Sequence, residues 1–159
     1  MNKSIIHAAV WVLVGMVLMG LIVWFSMPSL MLIKHKSKLS YNETVNVLSE
    51  TLKKKQDWRV IIVNDYQKST AAFVALERVG SITICNPRHA SKILADDTNR
   101  FVTAFMPLGL GVYEDKKGQV FVSQMNVGLL GKMFGGTISD VMGGAGKELS
   151  EVVESVSAK

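Results

Sequence analysis

The chain has 159 residues, 48% of them hydrophobic, and 18 Lys and Arg against 13 Asp and Glu give it a net charge of +5. That modest charge is interspersed and forms no basic stripe with interleaved aromatics, which argues against nucleic acid as a partner. A single cysteine, Cys85, excludes an internal disulfide and any zinc site built from several cysteines.

The first element is the run Ile5 to Met27, IIHAAVWVLVGMVLMGLIVWFSM, which contains no Asp, Glu, Lys or Arg. As a helix rising about 1.5 Å per residue it spans roughly 35 Å, enough to cross a hydrocarbon core of about 30 Å. Only a helix satisfies all of its own backbone groups inside lipid. Trp11 near one end, and Trp24 with Phe25 near the other, suit the two interfacial belts. Gly15 and Gly20 are five apart and do not make the GxxxG packing pattern. Pro28 is expected to end the helix.

A cleaved secretory signal has an apolar region of about 7–15 residues followed by a small-x-small site. This run is longer, and SMPSLMLI after it supplies no such site. Residues 1–33 therefore predict an uncleaved anchor, a single pass through a cell membrane with a short interfacial segment. His7 and Ser26 lie close enough to its ends to reach the headgroup layer. Lys34, Lys36 and Lys38 after the run, against Lys3 before it, favour a cytoplasmic domain by the positive-inside rule. An uncleaved N-terminal signal sequence commonly leaves its domain outside. The side stays open, with a slight lean to the extracytoplasmic. The basic strip itself suits contact with anionic membrane lipid.

Residues 34–159 are the right length for one domain. KHKSKL at 34–39 reads as a short strand or a linker. Ser40 with Glu43 has the form of a capping box, and Val45, Leu48 and Leu52 stripe one face of a helix running to about Lys55. Trp58 to Val63 is a β-branched strand, and Asn64-Asp65 turns the chain. Residues 66–79 leave a short helix and a strand both open. Ser81 to Cys85 is a strand. Asn86 as N-cap and Pro87 at the first helical position then start a helix that runs to about Ala95.

Arg100 to Met106 and Leu108 to Glu114 read as consecutive strands about Pro107, which marks an edge or bend. Asp115-Lys116-Lys117-Gly118 is a hairpin turn leading into a strand from Gln119 to Met125. From Asn126 the periodicity is helical, with Leu130, Phe134, Ile138, Val141, Ala145, Leu149, Val152 and Val156 on one face. Gly131, Gly135, Ser139 and Gly143 make a second, small-residue stripe suited to close packing or an interface. Gly143 to Gly146 is where such a helix is expected to break. Glu148, Glu151 and Glu154 should keep its last part solvated. The sum is an α+β domain whose sheet is mostly antiparallel with helices on one side, preceded by one transmembrane helix.

Few residues carry chemistry. Cys85 closes a strand just before a helix N-terminus, where dipole and free N–H groups can activate a thiol; a free cysteine filling a strand end is the plainer role. His89, one turn on, is the only histidine near enough to serve as its base, and no Asp or Asn to orient it is evident. Asn86 and Arg88 at the helix start suit an anion; Asn86 acting purely as a cap is the alternative. Cys85 and His89 supply two metal ligands where structural zinc needs four, so no metal is assigned. No phosphate loop, nucleotide fingerprint or triad ordering is present, so neither catalytic residues nor cofactors are assigned.

The stretches ICNPRHASKILADD, FMPLGLGVYEDKKGQVFVSQMN and GLLGKMFGG, in that order, resemble the domain of unknown function family numbered 302, over about residues 34–145. The resemblance implies a compact α+β fold whose known members tend to form dimers, and no established activity. Members like this one often carry a second cysteine directly after the Met-Pro that corresponds to Met106-Pro107, where this chain has Leu108. Any chemistry that needs both family cysteines is thus closed to a single subunit of this chain. The leading expectation is a membrane-tethered interaction module or accessory subunit of a membrane complex, meeting other subunits or a second copy and without catalysis of its own. The alternative is a small-ligand or thiol-redox module using Cys85 and the Asn86-Pro87 helix start.

Overall fold

The computed structural model of the chain describes residues 3–158. They divide into two units, one ending at Met31 and one beginning at Leu32. The first is helix α1, Lys3–Met31. Its segment Val10–Met31, with mean hydropathy 2.3, is long and apolar enough to cross a membrane. Pro28 does not end α1, contrary to the sequence expectation. Its missing N–H forfeits one bond, to the Trp24 carbonyl, and the last turn closes around it, with Ser29 Oγ donating to the Ser26 carbonyl at 2.8 Å.

The second unit is a five-stranded antiparallel sheet in the order β1-β5-β4-β3-β2. Its strands are β1 Leu32–Lys36, β2 Arg59–Asp65, β3 Val79–Cys85, β4 Leu108–Glu114 and β5 Val120–Met125. KHKSKL is therefore a strand for its first part, with Lys34 opposite Ser123 and Lys36 opposite Phe121. The expected alternation holds. Ile82 and Ile84 on β3, Leu110 and Val112 on β4, and Val120 and Val122 on β5 are buried on one face. Helices α2 (Tyr41–Lys54), α4 (Pro87–Leu94), α5 (Val127–Phe134) and α6 (Gly136–Glu154) contribute Leu48, Leu52, Ile93, Leu130, Leu149 and Val152 to the same core. A single turn, α3 (Tyr66–Ser69), and an exposed loop take up the ambiguous segment after β2.

Local signals account for most helix starts. Glu43 reaches back to accept from the Ser40 backbone N–H at 3.1 Å, as the capping-box spacing requires. Asn86 and Asn126 each accept the N–H three residues on, starting α4 and α5. The far end of α6 is clipped to the sheet, since Lys38 donates to the Val156 carbonyl at 3.0 Å and Ala158 to the Lys36 carbonyl at 2.8 Å.

Two further expectations are corrected. Arg100 to Met106 is not a strand: Asp97–Phe105 is a 3₁₀ helix whose N-cap Asp96 accepts from Thr98. In this segment Val102 is buried while Phe101, Thr103, Ala104 and Phe105 are exposed, a burial pattern with none of a strand's period of two. The tail is not one striped helix either. It breaks at Gly135-Gly136, both in the left-handed region (φ 70° and 50°) where a side chain is strained, and continues unbroken through Gly143 to Gly146. α5 and α6 consequently fold back on one another, and a Cβ on Gly131 would stand 2.6 Å from Met142 Cβ. Gly131 thus packs within the chain, Gly135 forms the turn, and Ser139 and Gly143 lie on α6.

Candidate functional site

α4 starts where β3 ends, so Cys85, Asn86, Arg88 and His89 arrive at one corner of the domain. α6 and the turn before β2 meet them there. Asn86 is buried and its Oδ1 is occupied by the His89 backbone N–H at 3.1 Å, so it serves as the cap. Arg88 is engaged as well. Its Nε lies 2.5 Å from Asp57 Oδ2, and Asp57 sits at φ 63° in the turn between α2 and β2. The Asn86 side chain thus serves the fold, while the Arg88–Asp57 pair lies at the surface with the Arg88 side chain 60% exposed.

His89 is the member with unspent chemistry. Its Nε2 lies 3.1 Å from Glu148 Oε1, and the other oxygen of that carboxylate accepts from the Trp58 indole N–H at 2.5 Å. The Trp58 and His89 rings meet edge to face, 6.2 Å between centroids. Lys55 Nζ and Glu151 Oε2, 2.5 Å apart, extend the network along α6. Sequence reasoning missed Glu148, counting it among the solvated acids. The signal was there: Glu148 is three residues after buried Ala145 and four before buried Val152, hence on the inward side of α6. His89 thus has a carboxylate partner, a Glu and not the Asp or Asn whose absence the sequence reading noted.

Behind His89 lies an apolar pocket with about 50 Å³ open to the centre of a water molecule. That is room for several waters, a space matched by a small ring or the end of a longer molecule. Its walls include Ile93 from α4, Phe105 and Met106 from the 3₁₀ segment and its exit, Leu108 from β4, and Met142 and Ala145 from α6. The Met106-Pro107 peptide bond is cis, and both residues belong to the wall. His89 also borders the open polar cleft holding Lys55, Asp57, Arg88 and Glu148, so its ring stands between the two spaces.

His89 Nδ1 is buried without a hydrogen-bond partner, as are His35 Nε2, Ser49 Oγ and Gln124 Oε1 among the described residues. Cys85 touches the pocket, yet strand alternation sets it on the face of β3 opposite buried Ile84. No hydrogen bond joins it to His89. Leu108 pairs with Ile84 and so lies beside Cys85 in the sheet. Among the described residues no group of three or more His, Cys, Asp or Glu side chains is placed to hold a metal ion.

Among solved structures the chain is similar to the uncharacterized conserved protein DUF302 from Bacillus stearothermophilus, with a TM-score of 0.68 at 20% identity, covering 78% of this chain and 96% of that one. At that identity the likeness speaks for the fold alone. No curated protein matches the chain. The family profile described as "Domain of unknown function DUF302" matches residues 33–156, the sheet and all the helices packed on it. The chain belongs to the DUF302 family.

Proposed function

We propose that this chain is a membrane-tethered module that binds a small, largely apolar molecule in the pocket beneath α4. The observation that carries the reading is the pocket itself: an apolar space in a small domain that shares Asn86 and His89 with a polar cleft beside it, the mix of apolar wall and few polar groups that ligand sites have. α1 supports the tether, being long and apolar enough to span a bilayer. Methyl-labelled methionine provides the test, because Met106 and Met142 both line the pocket. In detergent-solubilised full-length protein, toluene should shift those two methionine methyl resonances. Ala90→Leu, which pushes a larger side chain into the space, should abolish the response. Unmoved methionine signals at saturating toluene would sink the reading.

A second reading, the interaction module or accessory subunit, is favoured by a different surface. β2 is an edge strand, and Ile61, Ile62 and Val63 on it are about half exposed, while Phe73 in the following loop is 90% exposed. Apolar side chains on an open strand edge invite a partner. Gentle solubilisation of native membranes followed by sizing tests this. A complex larger than a homodimer, weakened by Ile62→Lys, is expected; a monomer or homodimer with nothing bound would end the accessory-subunit idea.

A further inference from the structure

Phe101 and Phe105 of the 3₁₀ segment each meet the ring of Phe134, the last residue of α5, with centroids 5.6 and 5.9 Å apart. These rings gather at the surface. Phe101 is 58% exposed, Phe105 and Phe134 are each 37% exposed, and Met133 beside them is 66% exposed. Val102 and Leu130 on the same two segments are buried, so each segment is fixed to the core by another residue. Arg100 and Lys132 flank the rings and are exposed, and no Asp or Glu lies between Thr98 and Leu108 or between Asn126 and Ser139. The cluster also belongs to the end of the sheet where the chain arrives from α1. Leu32, the residue after α1, pairs with Met125, the last residue of β5, and α5 starts two residues later. β4 begins at this end too, since its Leu110 pairs with Gln124. Phe105 precedes β4 by three residues, which holds it within about 11 Å of the strand's start.

We infer that this aromatic face docks on the bilayer. The three Phe rings and Met133 enter the interfacial layer of the membrane that α1 enters, and Arg100 and Lys132 meet its anionic headgroups. The inference rests on the tether proposed above and adds a second attachment, made by the domain itself. Large apolar side chains with cations beside them and no acid are what an anionic membrane interface takes up, the first at the acyl boundary and the second among the headgroups. A stable protein interface uses roughly 20–30 residues a side, and this cluster offers four large apolar side chains. Against a bilayer a few suffice, because the α1 tether makes the second contact intramolecular and its effective concentration high.

The test uses the full-length protein in bilayer nanodiscs, with methyl-labelled methionine and a trace of lipid carrying a nitroxide near the top of its acyl chain. In discs containing phosphatidylglycerol the Met133 methyl signal is expected to lose most of its intensity, while Met142, 8% exposed, keeps it. Phosphatidylcholine discs, or Arg100→Glu with Lys132→Glu, should restore most of the Met133 signal. A Met133 signal that the nitroxide leaves untouched in both lipids overturns the docking face. Loss that is equal in both lipids and survives the charge reversal overturns the headgroup assignment. A Met133 signal that shifts without losing intensity, and only in discs loaded with two copies, gives the face to a second copy and overturns lipid docking as well. Met16 and Met19 on α1 report the tether separately. If a nitroxide deep in the acyl chain broadens them, the tether stands even where Met133 is silent; if it does not, both readings fall. The wild type carries the main outcome by itself, so the result holds even where the double variant does not fold.

Discussion

Glu148 takes two donors from two other elements, the Trp58 indole and the His89 ring, and so ties the turn before β2 to α4 through α6. Trp58→Phe keeps most of the ring packing and deletes one donor. Hydrogen bonds to charged groups contribute about 1.5–3 kcal/mol; Glu148 is one-third exposed, so solvent screening brings the expected loss to about 1 kcal/mol, read as a lowered midpoint in thermal unfolding. Glu43 gives a pH-dependent counterpart. The Ser40 hydroxyl, and after it the Ser40 backbone N–H, holds the Glu43 carboxyl below its ordinary value of 4.5. A lowered folded value means the contribution is complete above pH 4.5 and drains away as pH falls through the folded value. The melting-temperature gap between wild type and Glu43→Gln should therefore be widest near neutrality and close towards pH 3. These two carboxylates also differ in how readable they were. Glu43 announces itself three residues after Ser40, a local spacing, whereas Glu148 meets His89 across 59 residues of sequence, a pairing that only the tertiary fold creates.

The helical hairpin of α5 and α6 is an element whose glycines have unequal work. Gly131 faces Met142 so closely that an added Cβ would stand 2.6 Å from that side chain's Cβ, an atom fixed to its backbone. Gly131→Ala should lower stability by about 1–3 kcal/mol through overpacking, which outweighs a propensity gain of up to about 1 kcal/mol. Gly143 has nothing within 4 Å of the same position, and Gly143→Ala should raise stability by about 0.5–1 kcal/mol. Chemical denaturation of the two variants, side by side, checks both signs. From the sequence these residues formed one stripe, because i, i+4 spacing assumes an unbroken helix. The fold turns at Gly135-Gly136, where two successive residues take positive φ, and the stripe is divided between two helices. Arg100 to Met106 misled for a related reason. Bulky and β-branched residues favour a strand in isolation, but Asp96 caps the segment and its burial follows no alternation. Elements with caps or strict alternation, such as α2, α4, β3 and β5, were legible from their own residues; those set by long-range packing were not.

At the scale of the whole chain, a domain with its own core follows a helix of a different kind. α2 sorts apolar and polar residues onto separate faces, while α1 between Val10 and Met31 has no charged residue on any face. A helix of that kind has no side suited to water. The length of the segment, roughly 33 Å at about 1.5 Å per residue, fits a hydrocarbon core of about 30 Å. If α1 tethers the protein, membranes containing it should keep the full-length chain through alkaline carbonate extraction. A chain beginning at Leu32 should be released. Leu18→Arg with Ile22→Arg places two charges on one face near mid-span, each raising the insertion cost by about 2.5–3.5 kcal/mol. That double variant should move to the soluble fraction while the domain keeps the near-ultraviolet signature of its buried Trp58. The three outcomes separate a tether from a removable leader. A mature protein whose N-terminus lies after residue 27, or a wild-type chain extracted as readily as the double variant, would show that the apolar helix addresses the protein to a membrane without holding it there.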